Sequence, residues 1–117
     1  MYIVYGIPNC DTTKKTLNWL KDHKVAYTFH DYKKEGISEE KLASWCKQLG
    51  WESLLNKRGT TWRELDAATQ STITNEKAAI HLLAEQTSMI KRPVIEKADK
   101  IVALEFDEAA YQKIFKK

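Results

Sequence analysis

The chain has 117 residues, 43% of them hydrophobic, and its 19 basic against 16 acidic side chains give a net charge of +3. That length suits one domain with a core large enough to fold without staples. The small positive excess is no nucleic-acid stripe, and nothing approaches the roughly 18 apolar residues of a membrane span. The N-terminus lacks the basic region and apolar stretch of a signal peptide, so a cytoplasmic protein is expected. Two cysteines, Cys10 and Cys46, are too few and too far apart for a disulfide framework or a zinc site. They fit a reducing compartment, and no metal is expected.

The pattern opens with a continuous apolar run over residues 2–5, which predicts a buried, central parallel strand. A Gly6-Ile7-Pro8-Asn9 turn follows. Residues 11–23 read as a helix with Thr13, Leu17 and Leu20 on one stripe, and residues 26–32 as an aromatic-rich second strand. This β-α-β opening requires a right-handed crossover. After Gly36 the character turns helical. Ser38 reads as an N-cap, Glu39 and Glu40 complement the dipole, and Leu42, Trp45, Cys46 and Leu49 follow helical spacing up to Gly50. Short helical turns are expected at 51–55 and 62–66, a loop over 57–62, and a longer helix over 75–89 with Ala79, Leu82, Leu83 and Gln86 on one face. Residues 93–96 and 101–104 are two apolar runs joined by a charged turn, which predicts an antiparallel hairpin. Asp107 then caps a closing helix.

Cys10 stands where the first strand turns into the first helix. Backbone N–H groups lack partners there and the dipole favours negative charge. Such a position lowers a thiol's pKa, and the thiolate is the nucleophilic form. The bland alternative is a small buried hydrophobe, the usual fate of a free cysteine. That alternative is the reading for Cys46, on an apolar stripe between Trp45 and Leu49. His23, His30 and His81 pair with no cysteine in sequence and read as structural. Trp19, Trp45, Trp51 and Trp62 read as packing residues.

The order β-α-β, helices, β-β-α with a cysteine at the first corner resembles a thioredoxin-like α/β fold, with the helices of residues 36–90 as an insertion lobe within a single domain spanning 1–117. The stretches Gly6-Ile7-Pro8-Asn9-Cys10-Asp11-Thr12, His30-Asp31-Tyr32, Leu54 to Trp62 and Ile90-Lys91-Arg92-Pro93 together resemble the ArsC-like family. That family holds glutaredoxin-dependent arsenate reductases, Spx transcription regulators and YffB-type proteins, and the Arg-Gly-Thr-Thr-Trp stretch is most similar to the YffB type.

The resemblance implies a thiol-dependent reductase with Cys10 as nucleophile and Arg92 beside it. It implies substrate-binding positions at Asn9, Asp11, Thr12, Thr13, Arg58 and Pro93, and a cis bond before Pro93. Composition alone makes Pro93 a strand-start proline, a permitted position. Arg92 and Arg58 each have the alternative of a solvated surface arginine, and Asn9 that of a simple helix cap. The register of Arg58 against the family's insertion arginine is open by a residue or two, and Arg63 matches no motif. Thr13 stands where redox-switch members carry a second cysteine, which rules out a disulfide within the motif. It either donates to the thiolate or packs. Glutathione is therefore the expected co-substrate and glutaredoxin the expected partner, with no bound cofactor. The substrate is either an arsenate-like oxyanion or a glutathione mixed disulfide. The competing reading is a Spx-like regulator that binds the RNA polymerase α subunit without catalysis.

Overall fold

The computed structural model describes residues 2–57 and 59–115. The chain divides into two compact units, one formed by residues 1–35 with 92–117 and the other by Gly36–Lys91.

The first unit is built on a four-stranded sheet in the order β2-β1-β3-β4. β1 (Tyr2–Gly6) runs into α1 (Asp11–Asp22), which crosses to β2 (Tyr27–Asp31), and β2 lies parallel to β1. A single turn, α2 (Tyr32–Glu35), follows β2. β3 (Val94–Lys97) pairs antiparallel with β1, and β4 (Lys100–Leu104) completes the hairpin before α8 (Glu108–Ile114). Ala98 and Asp99 have φ of 52° and 65°, the left-handed pair of a tight hairpin turn. This is the thioredoxin-like strand order that the motifs implied.

Alternation along β1 and β3 assigns each residue to a sheet face. Val4 and Ile95 point to the face covered by α1 and α8, where they form a buried cluster with Trp19, Leu20, Val25, Tyr111 and Phe115. Each such side chain is worth about 1.5–3 kcal/mol of burial. Edge-on aromatic contacts order the cluster, with Trp19 to Tyr111 at 5.4 Å and Tyr111 to Phe115 at 5.5 Å. The other face carries Ile3, Tyr5, Val94 and Glu96, paired in register as Ile3 with Glu96 and Tyr5 with Val94. Asp107 caps α8 by accepting from the Ala110 N–H, as its sequence position predicts.

The second unit is helical: α3 (Glu39–Leu49), α4 (Trp51–Leu54), α5 (Thr60–Arg63), α6 (Ala67–Ser71), α7 (Glu76–Glu85) and a 3-10 turn at Thr87–Met89. Ser38 accepts from the Lys41 N–H and starts α3 as expected, and Asn75 accepts from the Ala78 N–H to start α7. Leu42, Trp45, Leu54, Ala79 and Leu83 are fully buried, as is Ile90. Three expectations change here. The predicted loop over 57–62 contains helical residues from Thr60 onward, α6 was not anticipated, and α7 stops at Glu85, where the Gln86 backbone leaves helical geometry (φ −121°, ψ 75°) before the 3-10 turn. Among the described residues no helix is long and apolar enough to cross a membrane.

Candidate active site

β1 ends at Gly6, and the buried Ile7 anchors the turn that follows. The Cys10 N–H donates to the Ile7 carbonyl at 3.2 Å, closing that turn. Cys10 is then the N-cap of α1, in extended conformation (φ −100°, ψ 126°), and its carbonyl accepts the first helical bond from the Lys14 N–H at 2.9 Å.

The groups facing the sulfur favour its charged form. Burial raises the Cys10 thiol, but it is outweighed by the Thr13 backbone N–H, the Arg92 side chain, the Thr13 hydroxyl and the Arg92 charge, so the pKa falls from the usual 9.0 to about 7. Thr13 is fully buried, and its hydroxyl has no partner apart from the Cys10 sulfur, which it favours as a thiolate. Deprotonation makes that sulfur a stronger acceptor. Gly6 makes the arrangement possible: a Cβ there would stand 2.8 Å from Thr13 Oγ1 and 3.1 Å from its Cγ2.

Arg92 arrives from the neighbouring strand. Tyr5 pairs with Val94, so the residues just before β3 lie beside the end of β1 and the turn that leads to Cys10. The Arg92–Pro93 bond is cis, as the family resemblance implied. Pro93 is buried and Arg92 half-buried.

The remaining expected site residues are spread more widely. Asn9 and Asp11 are exposed on the turn and the first helical position, and Thr12 is half-buried with its carbonyl accepting from Thr16 Oγ1 at 3.0 Å. Arg58 lies outside the described residues. Lys57, its neighbour, sits over the Trp62 ring at 5.8 Å. Cys46 is 4% exposed in the helical unit, and burial, then Glu76, pushes its thiol up to about 11. It is a packing residue. A cavity of about 380 Å³ in the helical unit is lined by Glu39, Glu40, Ala43, Glu76, Lys77 and Ile80 and holds no nucleophile. Among the described residues no three His, Cys, Asp or Glu side chains converge as a metal site.

A buried polar group on the second sheet face escaped the sequence reading. Tyr5 Oη donates to Glu96 Oε1 at 2.8 Å, and Glu96 is only 1% exposed. Burial first, then Glu96, raises the Tyr5 phenol. The rings of His30 and Tyr32 lie 4.7 Å and 6.2 Å from that of Tyr5. The signal available in sequence was Glu96 itself, a carboxylate ending an apolar strand run, together with the His30-Asp31-Tyr32 motif.

The ArsC family model matches residues 5–114. A YffB protein structure is 47% identical, with a TM-score of 0.90 over 97% of this chain and 98% of that one. An arsenate reductase (ArsC) related protein from Brucella melitensis is 46% identical, with a TM-score of 0.78 over 99% and 95% of the two chains. An uncharacterized protein of Haemophilus influenzae is 43% identical over 98% of this chain and 99% of its own. At lower identity, 23%, the global transcriptional regulator Spx of Streptococcus pneumoniae aligns with 81% of this chain and 71% of its own.

Proposed function

The chain belongs to the ArsC family, and from that premise we propose that it is a thiol-dependent reductase with Cys10 as nucleophile and glutathione as co-substrate. The observation that carries this reading is the placement of Cys10 at the start of α1, where Thr13 and Arg92 favour its charge and bring the thiol down to about 7. A thiol whose pKa lies near ambient pH is the best attacking group for disulfide exchange, because it is ionised without being a poor nucleophile.

The substrate class it fits best is a mixed disulfide of glutathione. Cys10 thiolate attacks the glutathionyl sulfur, the Cys10–glutathione disulfide forms, and the other thiolate leaves and takes a proton from water. A second glutathione thiolate then attacks the glutathionyl sulfur of that disulfide, releasing oxidised glutathione and restoring Cys10. One substrate disulfide is reduced and two glutathione units are joined, so electrons balance. Glutaredoxin would serve as an alternative to that second glutathione. Arsenate-like oxyanions are the second class, since the helix start and Arg92 both favour an anion. Among the described residues, however, Arg92 is the arginine that acts on the sulfur, and a multiply charged oxyanion calls for a larger cationic clamp.

The test uses the mixed disulfide of glutathione and 2-mercaptoethanol. The wild-type chain is expected to reduce it with glutathione and to carry a glutathione adduct on Cys10 by mass spectrometry, and Cys10→Ser to do neither. Turnover retained by Cys10→Ser would remove Cys10 from the mechanism. The Spx alignment favours one other reading, a regulator that docks on the RNA polymerase α subunit. Thr13 denies it an internal disulfide switch. Co-purification with that subunit, unaltered in Cys10→Ala, would establish binding without catalysis.

A further inference from the structure

Tyr111 lends its ring to the aromatic cluster of the core, and its hydroxyl meets two other segments of the same unit. Tyr111 Oη donates to the Glu105 carbonyl at 2.7 Å and lies 3.3 Å from Thr16 Oγ1. Both Tyr111 and Thr16 are fully buried. With the phenol proton given to Glu105, the Thr16 proton has two acceptors: the phenol oxygen, and the Thr12 carbonyl at 3.0 Å. Thr12 stands between Cys10 and Thr13 in the first turn of α1. One branch from the phenol therefore ends at the turn that carries the nucleophile.

The other branch runs to Arg92. Val94 pairs with Leu104, and the Glu105 N–H carries that ladder one step further by donating to the Pro93 carbonyl at 2.8 Å. Pro93 follows Arg92 directly. Glu105 thus has both backbone groups engaged, its N–H by Pro93 and its carbonyl by Tyr111. Its φ is 64°, left-handed for a residue that carries a side chain. A backbone held there persists only where the surroundings over-determine it, and such residues cluster at functional sites. The Glu105 side chain is exposed, so the backbone bonds are what hold this corner. Burial, the largest influence on the Tyr111 phenol, pushes it up to about 12. Its proton therefore stays on the Glu105 carbonyl across the range in which Cys10 titrates.

We propose that Tyr111 is a positioning residue for the nucleophile: through Thr16 on one side and Glu105 on the other, its hydroxyl fastens the turn that carries Cys10 to the segment that delivers Arg92. This rests on the reading of Cys10 as nucleophile and adds to it the tie that keeps the thiol and the guanidinium in register. Tyr111→Phe keeps the ring and removes only the oxygen that makes the tie.

The test is the pH dependence of Cys10 alkylation by iodoacetamide in three variants, a readout that requires no turnover. A wild-type chain with a low midpoint that leaves the mixed disulfide unreduced would count against the reductase reading alone. Tyr111→Phe is expected to raise the midpoint by about half a pH unit, and an unchanged midpoint overturns the proposal. Glu105→Gly and Glu105→Val remove the same exposed carboxylate and differ in what the backbone tolerates. Glycine adopts a φ of 64° freely, whereas a β-branched side chain resists it. Glu105→Gly is therefore expected to keep the wild-type midpoint, and Glu105→Val to raise it as Tyr111→Phe does. Equal midpoints in those two variants overturn the proposal, because the conformation of Glu105 would then have no hold on the thiol. Cooperative thermal melts certify that each variant is folded. Should Tyr111→Phe fail that check, the Glu105 pair, altered at an exposed side chain, decides the matter alone.

Discussion

Arg92→Gln separates the two consequences of a lowered thiol pKa. The substitution keeps a side chain of similar reach while removing a charge and a charge-assisted hydrogen bond from the sulfur. Loss of a nearby opposite charge moves an acid upward by about one unit or more, so the Cys10 midpoint is expected to rise from about 7 to roughly 8. At pH 7 the thiolate fraction then falls from about one half to roughly a tenth. Each remaining thiolate is a better nucleophile: with a Brønsted slope of about 0.4–0.5, one unit of basicity makes it roughly threefold more reactive. About fivefold fewer thiolates, each about threefold faster, give a net slowing of only about twofold at pH 7.

Above pH 9 both proteins are ionised and only the nucleophilicity difference remains. The variant should then react about threefold faster than wild type. The two rate profiles are expected to cross about half a pH unit above the wild-type midpoint. Iodoacetamide labelling followed by intact mass measures both limbs. Cys46, buried and with its thiol pushed up to about 11 by burial and Glu76, stays silent over most of that range. A variant slower by one constant factor at every pH would mean that Arg92 controls access rather than ionisation. An unmoved midpoint would refute the electrostatic argument altogether.

Gly6→Ala forces a Cβ to within 2.8 Å of Thr13 Oγ1; urea denaturation is expected to show a loss of about 1–3 kcal/mol, and the Cys10 midpoint should rise as Thr13 is displaced. Tyr5→Phe leaves the 1%-exposed Glu96 without the phenol that donates to it, at a cost of about 1–3 kcal/mol by the same measurement, and unchanged stability would show that Glu96 has other sufficient partners. Cys10 also links stability to pH. Its folded pKa, about 7, lies below the usual 9.0, so its stabilisation is complete above the unfolded value, shrinks as pH falls, and is gone below the folded one. Cys10→Ser should flatten the stability profile between those values, and a profile identical to wild type would contradict the depressed thiol.

The parts of this protein that sequence makes legible are those governed by local chemistry. The apolar run of β1, the charged turn between Glu96 and Ile101, and the oxygen-bearing caps Ser38 and Asp107 each act within a few residues of themselves. Cys10 belongs with them, because a strand-to-helix corner is a local property. α6 lacked any such signal beyond Asp66: none of its residues is buried, so no apolar period marks it. The Tyr5, Tyr32 and Glu96 group was hidden for a different reason. Alternation identifies two faces of a strand, but only tertiary packing decides that both are covered. A glutamate in a half-solvated strand is ordinary; the same residue at 1% exposure demands a donor, and Tyr5 provides it.

Thr13 joins the two halves of the chemistry. With threonine at position 13, no second cysteine lies within the motif to resolve a Cys10 disulfide, so in the proposed cycle the intermediate waits for an external thiol. The same hydroxyl, with the Thr13 N–H and Arg92, favours Cys10 as a thiolate, and a thiol of lower pKa is also the better leaving group. An incoming glutathione that attacks the glutathionyl sulfur expels this stabilised thiolate, whereas attack on the Cys10 sulfur would expel a glutathione thiolate that lacks such support. The half-buried position of Cys10 adds steric weight to the same preference. On the proposed cycle, release of oxidised glutathione is therefore expected to be favoured over exchange of one glutathione for another on Cys10. Isotopically labelled glutathione distinguishes the two: label should appear in the oxidised product while the Cys10 adduct keeps its original mass. Adduct that acquires label faster than free Cys10 is regenerated would show that leaving-group stabilisation does not direct the reaction.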